Sequence, residues 1–332
     1  MPKPGVEVLN LYRYKDTEMF RIVIDNIAMS LPFKCESEMD GKPIQVNGIT
    51  FFPRYKGERV LRYESQIKNL HLHLYADHIC CINSLHKFYL GNNFSDFHLS
   101  DIHKAINKLN DCTGMNWYEA VIKKIEIGCN VPANANSVYQ GLMSYKTKDF
   151  APMIWKGKVY GKSCEFDHYK VKVYNKQLQT FLADRASIGN PLLRYEVAIT
   201  NPKYFTRYAQ ALPITLKQLL QKNFIRMMAR DAVNIYQKTL KMQRINLSAL
   251  TAKEKKTLAA MLHPLIREDL RVHNKSTYKR DRKVMKKIMQ DQVFLNDDPG
   301  LLIQEKFEDL IESKIPTCNI PVKQVASDPL LN

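Results

Sequence analysis

Apolar and polar positions alternate with a period of two through most of the first 212 residues and with a longer, helical period afterwards. The alternating runs are FRIVIDNI (20–27), NLHLHLYAD (69–77), HICCINSL (78–85), IKKIEIGCNV (122–131), YKVKVYNK (169–176) and LLRYEVAIT (192–200). Each predicts a half-buried β-strand. One helix interrupts them at 99–114, with Ser100 as its cap, Ile102, Ala105, Ile106 and Leu109 as its apolar stripe and Gly114 as its stop. Residues 132–165 read as loops over a site. Beyond 212, residues 214–243 read as one long helix packed on the sheet. A second helix lies in 247–262, where Thr251 and Glu254 have capping-box spacing. A third spans 276–292, and 320–332 reads as a loose tail. The pattern is that of an α+β protein. A mostly antiparallel central sheet with flanking helices occupies 1–212, and a mostly helical, basic segment occupies 213–332.

The same period assigns side chains to faces. Leu70, Leu72 and Leu74 share one face, His71 and His73 the other. Ile125 and Ile127 point inward, and Glu126 points with Lys124. Tyr169, Val171 and Val173 face the core, opposite Lys170, Lys172 and Tyr174. Leu193, Tyr195, Val197 and Ile199 face it from the next run, and Arg194 and Glu196 point away. If these strands share a sheet, its polar face gathers two histidines, two carboxylates, a tyrosine and several lysines. The two imidazoles of His-hydrophobic-His stand about 7 Å apart at their Cα atoms, near enough to share an ion. A divalent metal on His nitrogen and carboxylate oxygen neutralises a phosphodiester. A tyrosine hydroxyl is a suitable nucleophile for a covalent phosphotyrosine, and lysines favour its phenolate form. Taken singly, each of these features also has an ordinary explanation in surface histidines, salt-bridged carboxylates or an exposed strand tyrosine.

Charge narrows the partners. The 332 residues carry 50 Lys+Arg against 33 Asp+Glu, a net +17, so the expected ligand is a polyanion, nucleic acid before a membrane surface. No run of about 18 apolar residues predicts a transmembrane span, and MPKPGVEVLNLYRYKD lacks the apolar stretch of a signal peptide. The seven cysteines form no CxxC pair, which fits a reducing cytoplasm. The stretch 266–287 is densely basic. Lys279, Arg280, Arg282 and Lys283 there are candidate DNA contacts, with a solvated helix face as the alternative.

The blocks SLHKFYLGNNFSDF (84–97), IKKIEIGCNV (122–131), YKVKVYNKQLQ (169–179) and LLRYEVAI (192–199) resemble, in order and spacing, the filamentous-phage type of rolling-circle replication initiator. They resemble more distantly the Rep_trans type of small-plasmid initiator, within the His-hydrophobic-His endonuclease superfamily. The likeness covers roughly 65–220. It implies a replication initiation protein that nicks one DNA strand at an origin with Mg²⁺ or Mn²⁺, stays on the 5′ phosphate and leaves a 3′ hydroxyl. It implies Tyr174 as nucleophile, with Tyr160 of VYGKS as competitor. Lys176 and Lys172 would support the phosphate, and Glu126, Glu196, His71 and His73 would hold the metal. His86 would be an alternative metal ligand or, with Lys87 and Arg194, a DNA contact. Origin DNA, single- and double-stranded, is the implied partner, with a host helicase and polymerase downstream. The rival from another class is a DNA-binding replication or transcription regulator without catalysis. An RNA-binding protein would need aromatic pairs on strands, and none is evident.

Overall fold

The computed structural model describes residues 22–36, 39–208, 212–241, 249–291, 299–312 and 323–324. Its centre is one antiparallel sheet of eleven strands in the order β10-β11-β12-β14-β7-β1-β6-β5-β4-β3-β2. The inner strands are β1 (Ile22–Pro32), β4 (Arg59–Ile67), β5 (Leu70–Leu74), β6 (His78–Ser84), β7 (Val121–Val131), β11 (Lys158–Glu165), β12 (Tyr169–Asn175) and β14 (Leu193–Ile199). Strands β2 (Ile44–Val46) and β3 (Ile49–Lys56) extend one edge, and β10 (Ala151–Trp155) forms the other. A three-stranded sheet joins β8 (Leu142–Tyr145) and β9 (Lys148–Asp149) to β15 (Leu240–Lys241). Strand β13 (Ala186–Ser187) pairs with β16 (Lys323–Gln324). The helices are α1 (Leu85–Leu90), α2 (Leu99–Thr113), α3 (Ala135–Gly141), α4 (Lys176–Asp184), α5 (Leu216–Leu219), α6 (Lys222–Gln237), α7 (Ala252–Leu262), α8 (Pro264–His273), α9 (Lys275–Asp291) and α10 (Gly300–Glu312). The expected α+β class, with its antiparallel sheet and helical C-terminal part, is the observed one.

The alternation read from the sequence is the sheet's pleat. Leu70, Leu72 and Leu74 are fully buried, as are Val171, Val173 and Tyr195, and all join one core with Ile125 and Ile127. Helix α2 lays Ile102, Ala105, Ile106 and Leu109 into this core and ends at Gly114 in the left-handed region. Its cap is His98 rather than Ser100: the His98 backbone N–H donates to Asp101, the third residue of the helix. Helix α7 begins at the expected Thr251–Glu254 box.

The helical segment packs on the sheet as expected and departs from expectation in its helix count. The described part of 214–243 holds two helices, α5 and α6, followed by β15, because Thr215 and Gln218 cap the first helix and Gln221 is extended between the two. The chain there is tied to β7 by Ile122 N–H to Ile214 O and Leu216 N–H to Ala120 O. The change of pattern at 212 is also no break in the core. Phe224 and Met228 of α6 and Ile303 and Phe307 of α10 pack with the sheet residues. A smaller cluster of Leu250, Leu258, Met261, Met285 and Ile288 holds α7 and α9 together. The expected tail, 320–332, lies outside the described residues apart from Lys323–Gln324. So does the stretch examined for a signal peptide. No described helix is long and apolar enough to cross a membrane. No disulfide forms among the described cysteines, and Cys81 serves as a small buried strand residue of β6.

Candidate active site

Strands β12, β14 and β7 are neighbours, and their pairing sets the site. Lys172 lies opposite Glu196, and Glu196 opposite Gly128. Tyr174 lies opposite Arg194 on one side and Gly161 on the other. The two glycines make room for the two larger side chains. A Cβ on Gly128 would stand 2.7 Å from Glu196 Cγ, and one on Gly161 would stand 2.7 Å from Tyr174 Cα. Glu126, diagonal to Glu196 on β7, completes a polar patch on the face away from the core.

Strand β1 adds a residue that the two-residue period did not select. Ile24 pairs with Ile127 and Ile27 with Ile125, so two residues of β1 oppose Glu126 alone. This bulge re-aims a side chain. Asp25, Glu126 and Glu196 thereby each offer a carboxylate oxygen within 4.8 Å of the others. Among the described residues this is the one group of three or more metal-competent side chains. Its donors are hard oxygens, which suit Mg²⁺ or Mn²⁺.

Cations of the protein knit the trio. Arg194, fully buried, pairs Nε with Glu196 Oε1 and Nη2 with Asp25 Oδ2 at 3.0 Å. Lys172 Nζ bridges Glu126 Oε1 at 2.9 Å and Glu196 Oε2 at 2.7 Å. Lys172 therefore occupies Glu196 Oε2, and a metal ion on that oxygen would have to share or displace its ammonium. Asp25 also accepts from Ser84 Oγ and from Asn93 Nδ2. Burial alone would raise the Glu196 and Asp25 carboxyls. The cations outweigh it and hold both below the usual range, Lys172 and then Arg194 at Glu196, Arg194 and then Lys176 at Asp25. Glu126 goes the other way, raised by burial and by the charge of Glu196.

Two tyrosines stand at this patch. Tyr174 is 6% exposed and donates its hydroxyl to Glu196 Oε1 at 2.9 Å. Burial, and then the charge of Glu196, push its pKa well above the ordinary value. Tyr160 is half-buried, with its ring centroid 5.8 Å from that of Tyr174 in an edge-on contact. The β10–β11 register skips it, between Met153–Gly161 and Ile154–Val159, so Tyr160 is the extra residue of a second bulge. Its hydroxyl is raised by burial and lowered by Lys172, and it feels Glu196 and Glu126 as well.

Several expected site residues stand elsewhere. His71 and His73 share the polar face but lie on β5, three strands from β7, about 14 Å away at the usual strand spacing. The sheet therefore does not bring them to the glutamates. Arg194 and His86 have no exposed surface to offer DNA. The imidazole of His86 stacks on Phe97 at 4.7 Å with neither nitrogen bonded, and burial holds its pKa down to about 3. Lys176 is the first residue of α4, and its buried amine donates to Asn93 Oδ1 and Gln179 Oε1, so it is committed within the protein next to the Asn93 that bonds Asp25. Burial and the like charge of Arg194 push it down to about 7. Lys87 pairs with Asp184 at 2.9 Å, tying α1 to α4. Lys279, Arg282 and Lys283 line a groove, whereas Arg280 pairs with Asp281.

No family model matches this chain, and no curated protein matches it. Among solved structures it is similar to the rolling circle replication initiator protein from Geobacillus stearothermophilus, with 11% identity and a TM-score of 0.38. The likeness covers 71% of this chain and 91% of that one.

Proposed function

We propose that this chain is a metal-dependent DNA nicking enzyme that initiates rolling-circle replication through a tyrosine–DNA intermediate. The observation that carries the reading is the juxtaposition of the Asp25–Glu126–Glu196 trio with the Tyr160–Tyr174 pair. Asp25, Glu126 and Glu196 would hold Mg²⁺ or Mn²⁺, which supplies charge neutralisation to the phosphate. Arg194 fixes the Asp25 and Glu196 carboxylates in orientation, and Asn93 positions Asp25.

Tyr160 is the better nucleophile of the two. It is half-exposed beside the trio, whereas the Tyr174 hydroxyl is buried and committed to Glu196. Burial raises the Tyr160 hydroxyl above its ordinary value, and Lys172 opposes that rise while Glu196 and Glu126 add to it. In the transesterification the Tyr160 oxygen bonds to phosphorus and the bond from phosphorus to the 3′ oxygen breaks. The tyrosine proton leaves to water, and the 3′ oxygen takes a proton to become the hydroxyl that a polymerase extends. No water is consumed, so the reverse reaction reseals the strand. Origin DNA in the cytoplasm is the proposed substrate, with a host helicase acting after the nick.

A second reading, a DNA-binding regulator without catalysis, is favoured by one observation. Lys172 and Arg194 already pair all three carboxylates. One experiment separates the readings. Wild type, Tyr160→Phe and Tyr174→Phe are incubated with Mn²⁺ and an oligonucleotide pool containing the origin of the replicon that encodes the protein, then run on a denaturing gel. A metal-dependent adduct lost only in Tyr160→Phe is the expected result. Loss only in Tyr174→Phe would return the role to that residue. Tight binding without any adduct would leave the regulator.

A further inference from the structure

Between the β8–β9 hairpin with β15 on one side and helices α8 and α9 on the other runs a groove of about 1080 Å³. It shares no residue with the acidic site. Nine of its sixteen lining residues are Lys or Arg, and none is acidic, although the chain carries 33 Asp+Glu. From this we infer that the groove is a second nucleic-acid site, which grips a phosphodiester backbone.

Helix α9 makes the case. Its inner face, Met285 and Ile288 with the half-buried Val284, packs against α7. The face toward the groove presents Lys275, Lys279, Arg282, Lys283 and Lys286. These recur at three- and four-residue steps, so they stand along one stripe about 16 Å long. No ion pair to a carboxylate joins any of them among the described residues. Like charges at such spacing repel and weaken a helix. A face meant only for water would intersperse acids; on the groove's α8 side Arg271 does pair with Glu268, and the α9 stripe has no such partner among the described residues.

The facing wall is built rather than incidental. Lys146, at the hairpin tip, has φ 52°, a left-handed conformation unusual for a side chain of this kind. Its amine is oriented by the Tyr169 hydroxyl at 3.0 Å. Arg267 of α8 reaches Asp149 of β9 at 2.8 Å and fastens the two walls to each other. The concave shape with cations on both sides suits a strand that enters between the walls, and a flat bilayer would meet only the rims. Tyr145 is buried and Tyr278 packs against the α7–α9 cluster, so the cations dominate the lining and recognition is by phosphate.

The inference holds whether or not the acidic site cuts DNA, and it is tested by binding alone. Fluorescence anisotropy on the full chain would follow a labelled 30-nucleotide single strand and the matching duplex across a salt series. The groove variant is Lys279→Glu with Lys283→Glu. The control is Lys203→Glu with Lys222→Glu, which removes the same charge at exposed positions outside the groove. Circular dichroism checks that both fold. The groove variant should bind about ten-fold or more weakly, with a salt slope shallower by about 1.4 on single strands or 1.8 on duplex. The form that suffers the greater loss is the groove's occupant. Equal loss in the control, or wild-type affinity in the groove variant, would overturn the inference. So would groove-dependent binding to phosphatidylserine vesicles with none to DNA.

Discussion

Gly128 stands directly across the strand pair from Glu196, so close that a Cβ would meet the glutamate Cγ at 2.7 Å. The neighbour on that side includes the Tyr195 backbone, which cannot swing away as a flexible side chain can. Gly128→Ala should therefore displace Glu196 from the trio and destabilise the fold by about 1–3 kcal/mol, the usual cost of overpacking. Urea denaturation measures the second effect and Mn²⁺ titration the first. Wild-type values for both would show that the strand relaxes around the methyl group without moving the carboxylate.

Lys172 bridges Glu126 and Glu196, two of the three carboxylates that would hold a divalent ion. Burial would lower its pKa, but the two glutamates outweigh that and keep it charged. Its ammonium and a metal ion compete, so Lys172→Met should bind Mn²⁺ about ten-fold more tightly, a gain of about 1.4 kcal/mol. Without metal the same variant should lose about 3 kcal/mol, because Glu196 keeps its burial and loses a partner. Added Mn²⁺ should then raise the melting temperature more in the variant than in wild type. Isothermal titration and thermal melts report the two quantities separately. An affinity that falls in the variant would mean that Lys172 helps the ion to bind.

The faces of the central strands were legible in the sequence because a two-residue period is a backbone property. It assigned Glu126, Lys172, Tyr174, Arg194 and Glu196 to one side. What it did not reveal was strand order. His71 and His73 do lie on the polar face, but β1 and β6 stand between them and β7. Nor does a period see a bulge. Asp25 was passed over because Ile24 and Ile27 are three residues apart, and that spacing was itself the signal of an interrupted alternation. Depth was also hidden. Arg194, Lys176 and His86 are polar by composition, yet Asn93 bonds the first two in the interior and Phe97 stacks on the third.

The Tyr174 hydroxyl meets Glu196 in a buried, charge-assisted hydrogen bond of 2.9 Å. Such bonds contribute about 1.5–3 kcal/mol. Tyr174→Phe should cost that much stability while the edge-on contact with Tyr160 remains, since the ring is unchanged. Adduct formation should persist at a reduced rate if Tyr160 is the nucleophile. Chemical denaturation and a time course of the adduct check the two expectations. A variant as stable as wild type would place the Glu196 interaction energy in Arg194 and Lys172.

His86 supplies a pH dependence whose sign is fixed by its surroundings. Its unfolded-state pKa is near 6.5, and burial holds the folded value down to about 3. Between those values the unfolded chain binds a proton that the folded chain does not. Stability is therefore full above pH 6.5 and falls as pH drops, with a slope approaching about 1.4 kcal/mol per pH unit. His86→Phe should keep the flat stack on Phe97, remove the two unbonded nitrogens and flatten the slope between pH 6.5 and 5. That window lies above the range in which the depressed carboxyls of Asp25 and Glu196 would take up protons. Urea midpoints of the two proteins at pH 7, 6 and 5 make the measurement. Parallel slopes would assign the acid sensitivity to some other group, and a variant less stable at pH 7 would mean that the imidazole packs better than a phenyl ring in this pocket.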